Sequence, residues 1–183
     1  MKRKIPRSFD WRKHSDMAPV RQQGDCGSCF AIVAGEMLDW WHWRLQREDR
    51  NRTSVQELMD CSKAAFPLDI EGCDGGEVEY PLRWASEHRV LHERDDRYDR
   101  RDERCPSRNV PYETLHPKRM RHTGVWQEKD LEISLASYLY HFGVVAISFD
   151  ASDEHFQSLG KGIYKPKHCS NNRVNHAMLL VGY

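Results

Sequence analysis

Gln22-Gln23-Gly24-Asp25-Cys26-Gly27-Ser28-Cys29-Phe30 is the stretch on which the reading of this chain turns. Gln22 to Ser28 is polar and carries Gly24 and Gly27, so it reads as a loop, whereas Cys29 to Leu45 is rich in apolar residues and reads as a helix. Ser28 is a suitable N-cap. Phe30, Val33, Met37, Trp40 and Trp41 recur at near-helical spacing, which predicts an apolar face turned into a core, with the tryptophans as packing and not as a cofactor box. Cys29 then stands at a helix N-terminus, where the helix dipole and unpaired backbone N–H groups favour a thiolate. The thiolate is the form in which cysteine acts as a nucleophile.

A nucleophilic thiolate needs a partner that stabilises it and then delivers a proton to the leaving group, most often a histidine. The chain has ten. His14, His42, His88, His92, His116, His122, His141, His155 and His168 stand in polar or irregular surroundings and read as ordinary surface histidines. His176 differs: between Asn175 and Ala177 it opens the apolar run Met178-Leu179-Leu180-Val181, so a strand would hold its ring rigidly.

Outward from this pair, Ser54 and Glu57 form a candidate capping box that opens a short helix delivering Cys61. Lys129 to Phe142 carries Leu131, Leu135, Tyr138, Leu139 and Phe142 at helical spacing and stops at Gly143. Val144 to Phe149, Gly162-Ile163-Tyr164 and Ala177 to Tyr183 read as strands. Helices first and strands last predict an α+β fold with a helical half, a sheet or barrel half and a cleft between them. The run between Glu87 and Arg108 interleaves acids and bases and reads as a solvated loop.

With 183 residues and 39% hydrophobic content the chain can bury the core of one domain. Lys plus Arg and Asp plus Glu each total 28, so no global basic field exists to hold a nucleic acid or an anionic membrane. No run of about 18 apolar residues predicts a membrane span. Met1-Lys2-Arg3-Lys4-Ile5-Pro6 has the basic flank of a secretory signal without its apolar core. Six cysteines, at 26, 29, 61, 73, 105 and 169, favour an oxidising compartment, and Asn51-Arg52-Thr53 is a glycosylation sequon that fits a secretory route.

Pro6-Arg7-Ser8-Phe9-Asp10-Trp11-Arg12 and then Gln23 to Cys29 closely resemble the start of the mature papain-like cysteine peptidases. Ser54 to Ser62, Gly72-Cys73-Asp74-Gly75-Gly76, Gly162-Ile163-Tyr164, Asn175-His176-Ala177 and Val181-Gly182-Tyr183 match in order, and the pattern is most similar to the cathepsin L-like branch. His176 also falls within the roughly 130 to 150 residues expected between such a cysteine and its histidine. The resemblance implies one catalytic domain over 1–183, with a helical lobe at about 11–112 and a β-barrel-like lobe at about 113–183. It implies an endopeptidase that forms a thioester on Cys29 and needs no cofactor or metal. Gln23 would supply its side-chain amide to an oxyanion hole, and Gly75 and Gly76 would line a cleft where substrate backbone pairs in extended form. Val78, Ser148 and Ala177 would lie near the pocket for the second residue before the scissile bond. The pairings implied are Cys26 with Cys73 and Cys61 with Cys105. Protein or peptide substrates, a prodomain and a cystatin-like inhibitor are the implied partners, in a secreted or lysosomal setting.

Departures accompany the match. Phe30 stands where the family usually has Trp. The family's Asn-Ser-Trp-Gly stretch, whose Asn orients the histidine, does not occur before Tyr183, nor does a partner for Cys169. The resemblance thus implies an incomplete C-terminal lobe with missing strands, exposed sheet edges and slow turnover. Three other readings compete: a catalytically inactive binding module; a thiol-disulfide oxidoreductase using Cys26 and Cys29 as a CxxC pair; and a zinc site from Cys26, Cys29, His168 and Cys169. Against the second, the run before Cys26 is polar and opens on Pro19 instead of forming an apolar strand.

Overall fold

Cys29–Leu45 forms one long helix, α1, and two hydrophobic clusters of the described residues are built on it. The computed structural model describes residues 5–14, 17–45, 51–106, 131–166 and 173–183. On one side Phe30, Ala31, Ala34 and Leu38 are buried against α2 (Val55–Ala65), the strand β1 (Ile70–Gly72) and α3 (Glu79–Glu87) through Val55, Leu58, Met59, Ile70 and Trp84. On the other side Trp40 joins Trp11, Leu139 and Val144, with Leu179 and Leu180 packed around them. A helix buried on both sides needs apolar residues around most of its girth, and the unbroken buried run from Phe30 to Gly35 meets that need. The predicted apolar face is therefore broader than one stripe, yet Trp41 is 37% exposed and only leans edge-on against Trp40.

The second side is a small α+β assembly. Leu131–Phe142 forms α4, which ends at Gly143, whose φ of 123° is open to glycine and strained for other residues. Leu139 is fully buried, whereas Phe142, placed by its spacing on the apolar face, is 52% exposed. Val145–Phe149 (β3) pairs antiparallel with His176–Leu180 (β4) in the register Val145 to Leu180 and Phe149 to His176. The start of the chain crosses to this side: Phe9 and Tyr183 exchange backbone hydrogen bonds of 2.9 and 2.8 Å, and the Trp11 indole donates to the Leu139 carbonyl at 2.8 Å. Trp11 thus packs with the sheet half, and the lobe boundary expected near 112 lies outside the described residues.

Several expectations are revised. Gly162-Ile163-Tyr164 is not a strand: Ile163 is 86% exposed, no strand pairs with it among the described residues, and the Tyr164 hydroxyl instead donates to Asp153 at 2.7 Å. Ser54 caps α2 by accepting from Glu57 N at 2.9 Å, but Glu57 does not reach back; its carboxylate takes Leu91 N, while Ser54 N donates to the Leu91 carbonyl. The box is opened to tie down the chain after α3. His42, read as a surface residue, is buried.

The charged run after α3 is exposed on its outer side, as interleaved charge demands, but it is anchored inward. Ser54 donates to Asp96, Asp99 N to the Gln56 side-chain oxygen at 3.0 Å, and Glu103 N to Asp60 at 3.0 Å. A disulfide between Cys61 and Cys105 closes the far end of this strap onto α2. Polar groups of α2 that burial would otherwise strand are satisfied by the strap's backbone, so each element fixes the other.

Candidate active site

Cys29 is the first residue of α1, half-buried, and the free thiol among the described cysteines. Its freedom follows from the neighbouring pairing: Cys26 is bonded to Cys73, which links the loop before α1 to the turn between β1 and β2 (Gly75–Gly76). Cys26 is therefore unavailable for a CxxC dithiol or for zinc. His168 and Cys169, the other zinc candidates, lie outside the described residues. Ser28 occupies the cap position, its carbonyl accepting from Ala31 and Ile32 N, while its hydroxyl bonds to Tyr98.

His176 opens β4, the strand that packs along α1, so the elements carrying the two reactive groups are joined through the core. Its ring stands edge-on to its cross-strand partner Phe149, centroids 5.9 Å apart. Asn175 fixes the backbone before it: Asn175 N donates to the Phe149 carbonyl at 3.2 Å, its side-chain oxygen accepts from Ala151 N at 2.8 Å, and its amide donates to Ser152 at 2.7 Å. Burial holds the imidazole below the ordinary histidine value, favouring the neutral ring. An anion beside the ring would favour the imidazolium.

Gln23 is half-buried in the loop before Cys29, and its carbonyl accepts from Tyr98 at 2.9 Å. The two glycines prove to be different. A Cβ on Gly75 would meet nothing within 4 Å, so there the requirement is backbone, φ being 130°. A Cβ on Gly76 would lie 2.5 Å from Ile70 Cδ1 and 3.1 Å from the Phe30 ring, so Gly76 is small because Ile70, and less tightly the residue after the nucleophile, pack against it. Phe30, fully buried, keeps the packing an aromatic supplies there.

Ser148 and Ala177 face each other across β3 and β4, the first exposed and the second buried, and Val78 is half-buried against the α1–α2–α3 core. Asn51 is half-buried, its side-chain oxygen accepting from Arg94 at 3.3 Å, and Thr53 of the sequon is 4% exposed. Cys29 lines neither of two surface depressions: one of about 550 Å³ along Asn51, Arg52, Arg94, Arg97 and Tyr98, the other of about 520 Å³ beside β4 at Phe9, Met178 and Tyr183. Among the described residues no helix is long and apolar enough to cross a membrane.

Sequence composition alone missed Tyr98. Its signal was an aromatic within a charged run, too common a feature to single out. The run's alternating charges describe its outer face and say nothing about the residue that turns inward.

A profile described as papain family cysteine protease matches residues 5–183. Mouse (Mus musculus) procathepsin L is 31% identical over 181 residues, covering 98% of this chain and 51% of its own length. A cathepsin L-like peptidase of Aedes aegypti is 31% identical, covering 98% and 50%. The chain thus spans about half the length of the curated relatives it matches. Among solved structures, the digestive procathepsin L 3 of the Tenebrio molitor larval midgut superimposes with a TM-score of 0.78 at 27% identity, covering 100% of this chain and 56% of that one.

Proposed function

Because the chain belongs to the papain family of cysteine proteases, we propose that it is an endopeptidase in which Cys29 is the nucleophile and His176 its proton-transfer partner. The observation that carries this reading is Cys29 itself, a free thiol at the head of α1, while Cys26 three residues earlier is committed to Cys73. A thiolate on Cys29 attacks the scissile carbonyl, forming a C–S bond and placing negative charge on the oxygen. The Gln23 side-chain amide and the Cys29 backbone N–H receive that charge. His176, protonated while the thiolate faces it, gives its proton to the leaving amine as the C–N bond breaks. It then takes a proton from the water that hydrolyses the thioester, restoring both groups.

In this reading substrate lies extended past Gly75 and Gly76, in a cleft between the helical and sheet halves. Val78, Ser148 and Ala177 contribute to the pocket for the second residue before the scissile bond. Partners are protein or peptide substrates, a prodomain in the precursor and a cystatin-like inhibitor. Two disulfides and the Asn51 sequon fit passage through an oxidising secretory route to a lysosomal or secreted destination.

A peptidyl epoxide tests the reading. The purified protein is expected to gain one adduct, mapped to Cys29 by mass spectrometry, at mildly acidic pH and within minutes, and to hydrolyse a peptide substrate that the adduct then blocks. A protein that stays unlabelled and does not hydrolyse is a binding module instead.

A further inference from the structure

Tyr98 sits in the charged strap, far in sequence from the reacting groups, yet it is half-buried while Arg97, Asp99 and Arg100 around it are exposed. Its hydroxyl meets both ends of the loop that leads into α1. It donates to the Gln23 carbonyl at 2.9 Å and shares a second hydrogen bond with Ser28 Oγ. A phenol has one proton, so donation to the carbonyl leaves the Ser28 hydroxyl as the donor in the second bond. Ser28 is fully buried and immediately precedes Cys29.

The strap touches the same loop a second time. Gly24 has a φ of 70°, and the space a Cβ would need there, 2.6 Å away, is taken by Arg100 Cδ. Behind Tyr98 the strap is fastened to α2 by Gln56, whose side chain accepts from Asp99 N and donates to the Arg101 carbonyl at 2.8 Å. The hydroxyl is thus a rigidly backed peg. The middle of the loop is held by the Cys26–Cys73 bond, and Tyr98 holds its ends.

We propose that Tyr98 is a positioning residue for the oxyanion hole: by bridging Gln23 and Ser28 it fixes the spacing at which the Gln23 amide and the Cys29 N–H converge on one oxygen. The claim rests on the peptidase reading above. Donors to a developing oxyanion act only when preorganised within about half an ångström, and a glycine-containing loop does not supply that by itself. Burial pushes the Tyr98 hydroxyl above the ordinary tyrosine value, so it keeps its proton across the working range.

Three measurements separate positioning from simple support: the rate of peptide hydrolysis, affinity for a peptidyl aldehyde whose adduct oxygen takes the oxyanion position, and the rate of Cys29 alkylation by iodoacetamide, which generates no oxyanion. For Tyr98→Phe, kcat is expected to fall about tenfold with KM held within about twofold, aldehyde affinity to fall by a similar factor, and alkylation to change less than about twofold. Ser28→Ala, which removes one of the two bonds, is expected to shift the same two quantities less. Unchanged hydrolysis and aldehyde affinity overturn the proposal, and so does a parallel fall of all three quantities, which places the effect on the thiolate or the fold. If Tyr98→Phe does not fold, Ser28→Ala is judged by the same three measurements. An unsubstituted protein that alkylates but never hydrolyses overturns the peptidase reading itself, a result visible before any substitution is made.

Discussion

Cys29→Ala is expected to lower kcat/KM for peptide hydrolysis by about 10⁴-fold or more, because no other group at the head of α1 can form the covalent intermediate. His176→Ala should cost about 10³-fold or more, since it removes both the partner that charges the thiol and the acid that protonates the leaving amine. The two losses are not additive: once the nucleophile is gone, removing its partner has little left to remove, so the double variant should match Cys29→Ala within about threefold. Initial rates with a fluorogenic peptide, on variants whose circular dichroism matches the unsubstituted protein, check all three. Multiplying losses would mean that the residues act separately and that His176 is not the partner.

Asp39→Ala is expected to be the most damaging single change to stability, at about 3–5 kcal/mol, read as a lowered urea midpoint at unchanged slope. Asp39 is 1% exposed on α1 and accepts from Thr53 N at 2.7 Å. It also pairs with Arg21 at 3.1 Å and Arg52 at 3.6 Å, and Arg21 is itself only 4% exposed. Arg21 spends a second group on the Thr53 carbonyl at 2.8 Å. One carboxylate therefore joins the segment before the active loop, α1 and the approach to α2. Its loss strands the buried Thr53 amide and leaves the buried Arg21 guanidinium with Glu93 at 3.3 Å as its remaining carboxylate, and breaking such a pair from one side costs far more than its net worth when intact. The exposed pair of Arg101 and Glu103 is the control: at 68% and 37% exposure, Glu103→Ala should cost less than about 1 kcal/mol. Equal midpoints for the two variants would mean that the Asp39 cluster is hydrated in solution.

How far the sequence could be read depended on whether a feature was local. The loop-to-helix change at Cys29 is local, since glycine and polar residues give way at once to an apolar run, and the helix begins there. The strands ending at Phe149 and Leu180 are local too, each a short apolar run bounded by breakers. The Asp39 cluster was not legible: Arg21, Asp39 and Glu93 are brought together by three separate segments, and no spacing announces them. The same holds for Tyr98, which reaches the loop from 70 residues beyond Ser28. Gly162-Ile163-Tyr164 failed in the other direction. Its residue types suit a strand, but a strand also needs a partner, and composition does not supply one.

Whether Cys29 and His176 act as one charged pair is read from the rate of Cys29 alkylation with iodoacetamide as a function of pH, with and without His176→Ala. Burial lowers the His176 ring below the ordinary histidine value, so a thiolate beside it would favour the charged ring. In the unsubstituted protein, rapid alkylation is expected to persist into mildly acidic solution. In His176→Ala that acidic limb of the profile should be lost and the rate should rise only at higher pH. Superimposable profiles would contradict such a pair, because Cys29 would then ionise without regard to His176.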